Sequence, residues 1–469
     1  MRRTKILTLA IGLILIVIST VQAQGGPGHG RFKPDELIVK LLPGYDVDSI
    51  NTKYGTITKG HQVETDVYLL RVPAGKDVEK LAAEIAAEPG VSYCTPNYYM
   101  SAPEGLQRSS PFLDQQVKGD VESQPAATVL QLPAAQEYTD GTDVKVAVID
   151  GGVDLDHPWL LAQPGSIVSC WDYVDNDSLV YDELGGSCTG HGTFVASIVR
   201  LTAPNAEIRV YRVLDTAGQG DGFSISSAVL KALADSCQVI NLSLGMSGVH
   251  DGLDEALKLA RQQDVLVVAS AGNDSTDLTS VFPFPASREY CIAVAALDSV
   301  DYKADFSNYG LKVDLCAPGT WIYAPYPDCM YAWWDGTSFS APFVTGLAAL
   351  AKSLGDSLSM IRIDTLLRQM ASSVDSLNPE YAGLLGNGLI NPVALLNWIS
   401  PVRRGDWSAN GIIDLTDLSS MVTYLTAGGN APSPIGRGDL NCDAFIDLSD
   451  LSRLIAHLTG MNPPICPNP

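Results

Sequence analysis

Three short segments of this chain hold residues able to carry out nucleophilic chemistry. Val146-Ala147-Val148-Ile149-Asp150-Gly151-Gly152 ends an apolar run in a carboxylate. Gly190-His191-Gly192-Thr193 places a histidine between glycines at the start of an apolar helical stretch. Gly336-Thr337-Ser338-Phe339-Ser340-Ala341 places a serine among small residues at the opening of another. A serine hydroxyl is a weak nucleophile at neutral pH. It needs a base within hydrogen-bond reach, and that base must be oriented by a third group. Asp150, His191 and Ser338 supply the three residue types in question. A fourth segment, Ser270-Ala271-Gly272-Asn273-Asp274, brings the amide of Asn273 to the end of another apolar run, where it can stabilise a developing oxyanion. Among the other histidines, His29 and His61 precede these segments, His157 in Asp156-His157-Pro158 reads as structural, and His250 and His457 lie outside any such block. His191 is the well-placed base.

The elements that must position these groups follow from hydrophobic periodicity. Strands are expected at Val144–Ile149, Glu207–Val213, Val239–Leu244, Val265–Ala271 and Cys291–Ala296, with helices at Phe223–Ser236 and Asp254–Gln263 between them. Strands apolar throughout and alternating with helices imply an α/β fold, a mostly parallel sheet with helices on both faces. In such sheets chemistry sits at the carboxyl ends of the strands, where Asp150 and Asn273 fall.

Taken in order, the blocks resemble those of the subtilisin family, over roughly residues 125–400. The order Asp, His, Ser is that of the subtilisin family. The resemblance implies a serine endopeptidase in which Asp150 orients, His191 is the general base, Ser338 is the nucleophile and Asn273 is the oxyanion donor. It also implies that Ile240-Asn241-Leu242-Ser243-Leu244-Gly245 is the strand that pairs with extended polypeptide substrates, with Ser243, Leu244 and Gly245 binding substrate, and that Ser270, Ala271 and Gly272 form the opposite wall of the specificity pocket. Gly152, Phe194 and Phe339 depart from the Thr, His and Met common in the family and bear on packing. A secreted esterase or lipase is a competing reading, but its Gly-x-Ser-x-Gly signature lacks the final glycine here, where Ser340 stands.

Residues 1–23 read as a signal peptide: Arg2, Arg3 and Lys5, then an apolar run, then Val21-Gln22-Ala23. A secreted protein, extracellular or at the cell surface, is therefore expected, with no membrane association after removal. Residues 32–100 read as a small α+β unit, with strands Glu36–Leu42 and Val67–Val72 and an amphipathic helix Val78–Ala87. The unit resembles the inhibitor prodomain of the same family, which makes the chain a self-inhibited zymogen. Residues 101–124 lack periodicity and read as a linker, with the processing cut anywhere from 99 to 125.

Residues 405–460 contain a repeat at an offset of 33: Asp406, Asp414, Asp417 and Leu418 recur as Asp439, Asp447, Asp450 and Leu451. Oxygen ligands fall at EF-hand spacing: Asp406, Ser408, Asn410, Ile412 by its carbonyl, Asp414 and Asp417 in the first loop, and Asp439, Asn441, Asp443, Phe445 by its carbonyl, Asp447 and Asp450 in the second. With one helix after each loop, the segment resembles a small α-helical, dockerin-like module. That implies structural calcium and a cohesin-like partner. The alternative in a different class is a catalytically silent adhesive protein whose function lies in this module.

Composition sets the outer bounds. The 469 residues carry a formal charge of −23, from 53 acidic and 30 basic side chains. Nucleic-acid binding is not expected from so acidic a chain, since it depends on basic surface. The acidity fits solubility or calcium binding. The cluster Asp172, Asp175, Asp177 and Asp182 is open to the same two readings, solvated surface or a calcium site in the catalytic domain. Of the 9 cysteines, Cys94 stands apart. Neighbour spacing among the rest suggests Cys170–Cys188, Cys316–Cys329 and Cys442–Cys466, leaving Cys237–Cys291.

Overall fold

The computed structural model describes residues 31–106, 109–114, 121–163, 165–279, 283–400, 404–408, 412–432, 437–441, 443 and 445–461. The expected signal peptide lies outside them. In the middle of the chain the apolar runs pair into one seven-stranded sheet. Its order is Leu315–Pro318, Cys291–Leu297, Leu266–Ser270, Val239–Leu242, Lys145–Asp150, Glu207–Arg212 and Ile167–Asp172. Every neighbouring pair is parallel.

Alternation along the strands feeds two cores. Val146 and Val148 pack with the histidine helix (His191–Thr202) and the serine helix (Thr337–Leu354). Ala147 and Ile149 pack on the other face with helices Gly222–Ala234 and Asp251–Gln262. A period of two on a sheet buried on both faces requires this division. The histidine and serine helices lie against each other so closely that a Cβ on Gly346 would stand 2.5 Å from Thr202 Cβ. Phe194 and Phe339 fill the space beside that contact, ring centroids 4.6 Å apart, and both rings meet Trp334. Two of the three departures from the family pattern, Phe194 and Phe339, thus belong to one aromatic cluster.

The N-terminal unit is an antiparallel sheet in the order Ile57–Gln62, Val67–Arg71, Phe32–Leu41, Val91–Ser101. Helices Val47–Tyr54 and Val78–Ala86 cover one face through Val47, Ile50, Leu81 and Ile85. The opposite face sets Ile38, Val67 and Leu69 against Phe223. Its last strand does not stop at the unit's border: Val91–Ser101 pairs with Gln219–Asp221 of the central region.

The stretch read as a linker carries structure of its own. Pro103–Leu106 forms a 3₁₀ turn, and Phe112–Asp114 pairs with Met330–Trp334. Periodicity is invisible in such short pieces because their partners lie far away in sequence. At the C-terminal end, helices Leu415–Ala427 and Leu448–Leu458 enclose a small core of Met421, Leu440 and Leu454.

The disulfide scheme is corrected. Among the described residues Cys94, Cys170, Cys188, Cys237, Cys291, Cys316 and Cys329 are all free thiols; Cys442 and Cys466 lie outside them. Cys237 and Cys291 stand at the beginnings of strands separated by Leu266–Ser270. Two strand spacings are about 9–10 Å, beyond the roughly 7 Å limit for a bridge. Cys316 is buried with its thiol toward the Leu385 carbonyl, whereas Cys329 is exposed. Cys170 donates its thiol to the Val168 carbonyl, and Cys188 is buried as a free thiol. Sequence proximity was a poor guide because pairing depends on where strands and turns place the side chains. Among the described residues no helix is long and apolar enough to cross a membrane.

The aromatic cluster gives a direct test of this packing. Phe194→Ala removes a fully buried ring and should cost about 3–5 kcal/mol of stability, read as a lowered midpoint in urea unfolding of the Ser338→Ala chain.

Candidate active site

The central strand Lys145–Asp150 delivers its last residue to the carboxyl edge of the sheet, where Asp150 is fully buried. The Gly151 N–H donates to Asp150 Oδ1 at 2.7 Å, and the same oxygen lies 2.8 Å from His191 Nδ1. The imidazole comes from the first residue of its helix. The cap position, Gly190 at φ 84°, supplies no side chain. Asp182 supplies one instead: its Oδ1 accepts from Gly190 N at 2.9 Å, and its Oδ2 accepts from Thr193 N at 3.1 Å and Thr193 Oγ1 at 2.7 Å. Burial pushes the Asp182 carboxyl up to about 7 against the pull of these donors. The backbones must nearly touch here. A Cβ on Gly192 would stand 2.1 Å from the Gly152 carbonyl oxygen, so glycine at 192 is what allows aspartate and histidine to meet.

Ser338 is the second residue of the serine helix and is fully buried. Its carbonyl accepts from Ser243 Oγ at 2.8 Å; Ser243 Oγ accepts from Asn241 Nδ2 at 3.0 Å, and Asn241 Oδ1 accepts from Thr345 Oγ1 at 2.9 Å. Asn273 follows the strand Leu266–Ser270. Its Oδ1 accepts from Thr337 N at 3.0 Å and Thr337 Oγ1 at 2.8 Å. That pair of bonds fixes the amide and leaves Nδ2 to donate into the site.

The centre also holds a residue from the stretch read as a linker. Glu104, fully buried, brings Oε2 within 2.7 Å of Ser338 Oγ, which donates to it, and within 3.1 Å of His191 Nε2; its Oε1 accepts from Asn273 Nδ2 at 2.8 Å. Burial alone would lower the pKa of His191. The Asp150 and Glu104 carboxylates on its two nitrogens outweigh burial and raise it to about 10. Nothing local in the sequence marks Glu104; only its place just after the strand Val91–Ser101 hints at it.

That strand enters the site as an added β-strand. Tyr99 stands opposite Asp221 and Ser101 opposite Gln219. On the other side Ser101 N donates to Gly245 O at 3.0 Å, and Gly245 N donates to Ser101 O at 2.9 Å; Ala102 N donates to Gly218 O at 3.0 Å. An extended segment bonded along both edges is the arrangement by which a groove holds a peptide. Beside it lies a cavity of about 400 Å³, lined among others by Met100, Pro103, Gly245, Ser270, Ala271 and Gly272. Of the residues expected to contact substrate, Gly245 pairs through its backbone with Ser101 of the chain itself, and Ser270, Ala271 and Gly272 line the cavity. The Ser243 side chain holds the Ser338 carbonyl while its own carbonyl lies 3.4 Å from Ser338 Oγ, and the Leu244 side chain is buried in the core beneath helix Gly222–Ala234.

In the acidic cluster at 172–182, Asp172 and Asp175 are paired with a cationic side chain. Arg212 is buried beneath it, with Nη1 2.6 Å from Asp172 Oδ2 and 2.7 Å from Asp175 Oδ2, and Nη2 2.8 Å from Glu183. The guanidinium stands where a calcium ion would have to compete.

In the C-terminal loops, carboxylate oxygens of Asp439, Asp443 and Asp450 all lie within 4.8 Å of one another. Asp450 is buried and accepts from Leu440 N, Asn441 N and Asp447 N. Asp417 does the same for Ser408 N and Asp414 N. Asp414 and Asp447 cap the following helices. Asp406 meets Arg437 and Asp439 meets Arg404, so each loop is strapped by the arginine preceding the other. Ile412 and Phe445 are exposed; Asn410 lies outside the described residues.

Comparison with known proteins agrees with this geometry. The Subtilase family profile matches residues 141–388, and that of the fervidolysin N-terminal prodomain matches residues 18–97. Thermitase of Thermoactinomyces vulgaris is 39% identical over 243 residues, 50% of this chain and 83% of that protein. Subtilisin NAT of Bacillus subtilis subsp. natto is 31% identical over 412 residues, 83% of this chain and 98% of that protein. The crystal structure of fervidolysin from Fervidobacterium pennivorans shares the fold, with a TM-score of 0.65 at 23% identity, over 79% of this chain and 62% of its own. A buried aspartate–histidine pair beside a helix-borne serine, within a sheet of this topology and over a profile match spanning the central region, places this chain in the subtilase family of serine endopeptidases, with a fervidolysin-like prodomain ahead of its catalytic region.

Proposed function

We propose that the chain is exported through its first 23 residues as a zymogen and hydrolyses peptide bonds through an acyl-enzyme. The observation that carries the reading is the 2.8 Å contact between buried Asp150 and His191 Nδ1, with the Ser338 hydroxyl on the side of the other ring nitrogen. In the reaction His191 Nε2 takes the Ser338 proton as Oγ attacks the substrate carbonyl. Asp150 stabilises the imidazolium, Asn273 Nδ2 donates to the oxyanion, and the imidazolium returns its proton to the leaving amine. Water then cleaves the acyl-enzyme by the same steps in reverse. The groove between Gln219–Asp221 and Gly245 binds the substrate as an extended strand. The N-terminal unit occupies that same groove with its own strand.

The C-terminal loops fit calcium. Three carboxylates brought together at one point repel one another, and a divalent cation relieves that repulsion. Asp439, Asp443 and Asp450 would hold it in the second loop, and Asp406 and Asp417 would serve the first. A bound ion stiffens the helical pair and presents it to a cohesin-like partner.

Ser338→Ala should abolish both loss of the N-terminal unit and casein hydrolysis; a processed, active Ser338→Ala chain would sink the assignment. Asn273→Ala should lower kcat by about 10²–10³ with KM little changed, measured on a peptide substrate. Asp182→Ala uncaps the histidine helix, so it should cost about 1–2 kcal/mol of stability and depress kcat more than it raises KM. Titration of calcium into the Ser338→Ala chain should give binding that Asp450→Ala weakens; equal heats in both chains would rule out the second loop as the site.

A further inference from the structure

We infer that Glu104 is a chemical lock on the catalytic centre, keeping the uncleaved chain inert with its own carboxylate. The inference rests on the peptidase reading and adds what holds that site silent. A strand in the groove does not by itself prevent catalysis, because a substrate lies in the same way. Inertness needs the chemistry to be blocked at the reacting atoms, and one side chain reaches all of them. Glu104 Oε1 takes the hydrogen bond of Asn273 Nδ2, and Oε2 takes that of Ser338 Oγ while facing His191 Nε2.

Each contact removes one requirement of the reaction. The Asn273 donor is spent on a carboxylate oxygen, so the place where a scissile carbonyl oxygen must sit is filled. The Ser338 hydroxyl points its proton at Glu104 and not at its base. His191 lies between two buried carboxylates and is held as imidazolium, which cannot accept a proton from serine. The carboxylate shares the charge and the planar pair of oxygens of a cleaved peptide's end, so the centre holds it as it would hold a product.

The fit is tight. A Cβ on Gly336 would stand 2.0 Å from Glu104 Oε1. The strand that carries Glu104 is anchored by Ser101 and Ala102 through three backbone hydrogen bonds to Gly245 and Gly218. The anchoring sets the reach of the glutamate, and the 3₁₀ turn Pro103–Leu106 directs it inward. Release therefore takes either cutting of the strap or loss of the charge pair.

The charged and titratable groups around His191 come from separate elements: Asp150 from the central strand, Glu104 from the 3₁₀ turn, and Asp182 and Cys188 from the loop before the histidine helix. With the folded pKa raised above the ordinary histidine value, the stabilisation from the ion pair is fully present below about 6.5 and is lost as pH rises through about 10. The lock weakens in alkali.

The test follows the refolded full chain from time zero, reading covalent labelling of Ser338 by a fluorophosphonate together with loss of the N-terminal unit. Glu104→Gln keeps the shape and removes the charge; Glu104→Ala removes both. Each should label and process about tenfold faster than the parent chain, or more. The parent's labelling rate should climb more steeply between pH 7 and pH 10 than that of Glu104→Gln. Labelling of both variants at or below the parent's rate overturns the lock while leaving the peptidase intact. No labelling of any chain, with no hydrolysis, overturns the peptidase reading and the lock with it.

Discussion

The contact on which the rest of this structure depends is the buried pair between Asp150 and His191. A carboxylate and an imidazole withdrawn from water lose their hydration, and they remain polar partners only if the surroundings satisfy them at a fixed distance. Here the surroundings are a strand end, a helix start and a carboxylate cap. The sheet brings Asp150 to its carboxyl edge. Glycines at 152 and 192 let the two backbones close in. Asp182 takes the free N–H groups at the helix start that a glycine cap leaves open. The serine helix is then registered against this pair by Gly346 on Thr202 and by the rings of Phe194, Phe339 and Trp334.

The same centre shows how one geometry serves catalysis and its suppression. The atoms that would stabilise an oxyanion, give up a proton and accept one are the atoms that bind a carboxylate well. Inhibition from within the chain needs no separate site. It needs a strand that fits the groove and one acidic side chain at the right reach. The antiparallel sheet of the N-terminal unit supplies the strand by extending its last member across the border, so that Gln219–Asp221 completes both the sheet and the groove.

The C-terminal pair of helices follows a different logic. Its apolar core is small, and its order comes from loops in which carboxylates at the last position accept several backbone N–H groups. Asp414 and Asp447 were legible as loop acids from their spacing, yet in the structure they start the helices, because an aspartate at that position is also a good N-cap. Spacing names the residue and cannot say which of two polar jobs the geometry gives it.

What the sequence determined by itself is what depends on local pattern. Apolar runs at Val146–Ile149 and Val239–Leu242, broken by helical periods, specify a covered parallel sheet. Asp150, His191, Ser338 and Asn273 could be chosen because each ends or opens such a run beside small residues. The helix at 78, the strand at 67 and the 33-residue repeat were legible for the same reason. What only the tertiary structure decided is everything that joins distant residues. Glu104 reaches Ser338 across half the chain; Asp182 caps a helix; Arg212 pairs with Asp172 and Asp175 of an acidic cluster; the Ser243 side chain supports the Ser338 carbonyl; and cysteines that neighbour one another in sequence stay unpaired among the described residues. Periodicity records which face of an element is buried. It carries no record of which side chain arrives from elsewhere to meet it, and an active site is made of such arrivals.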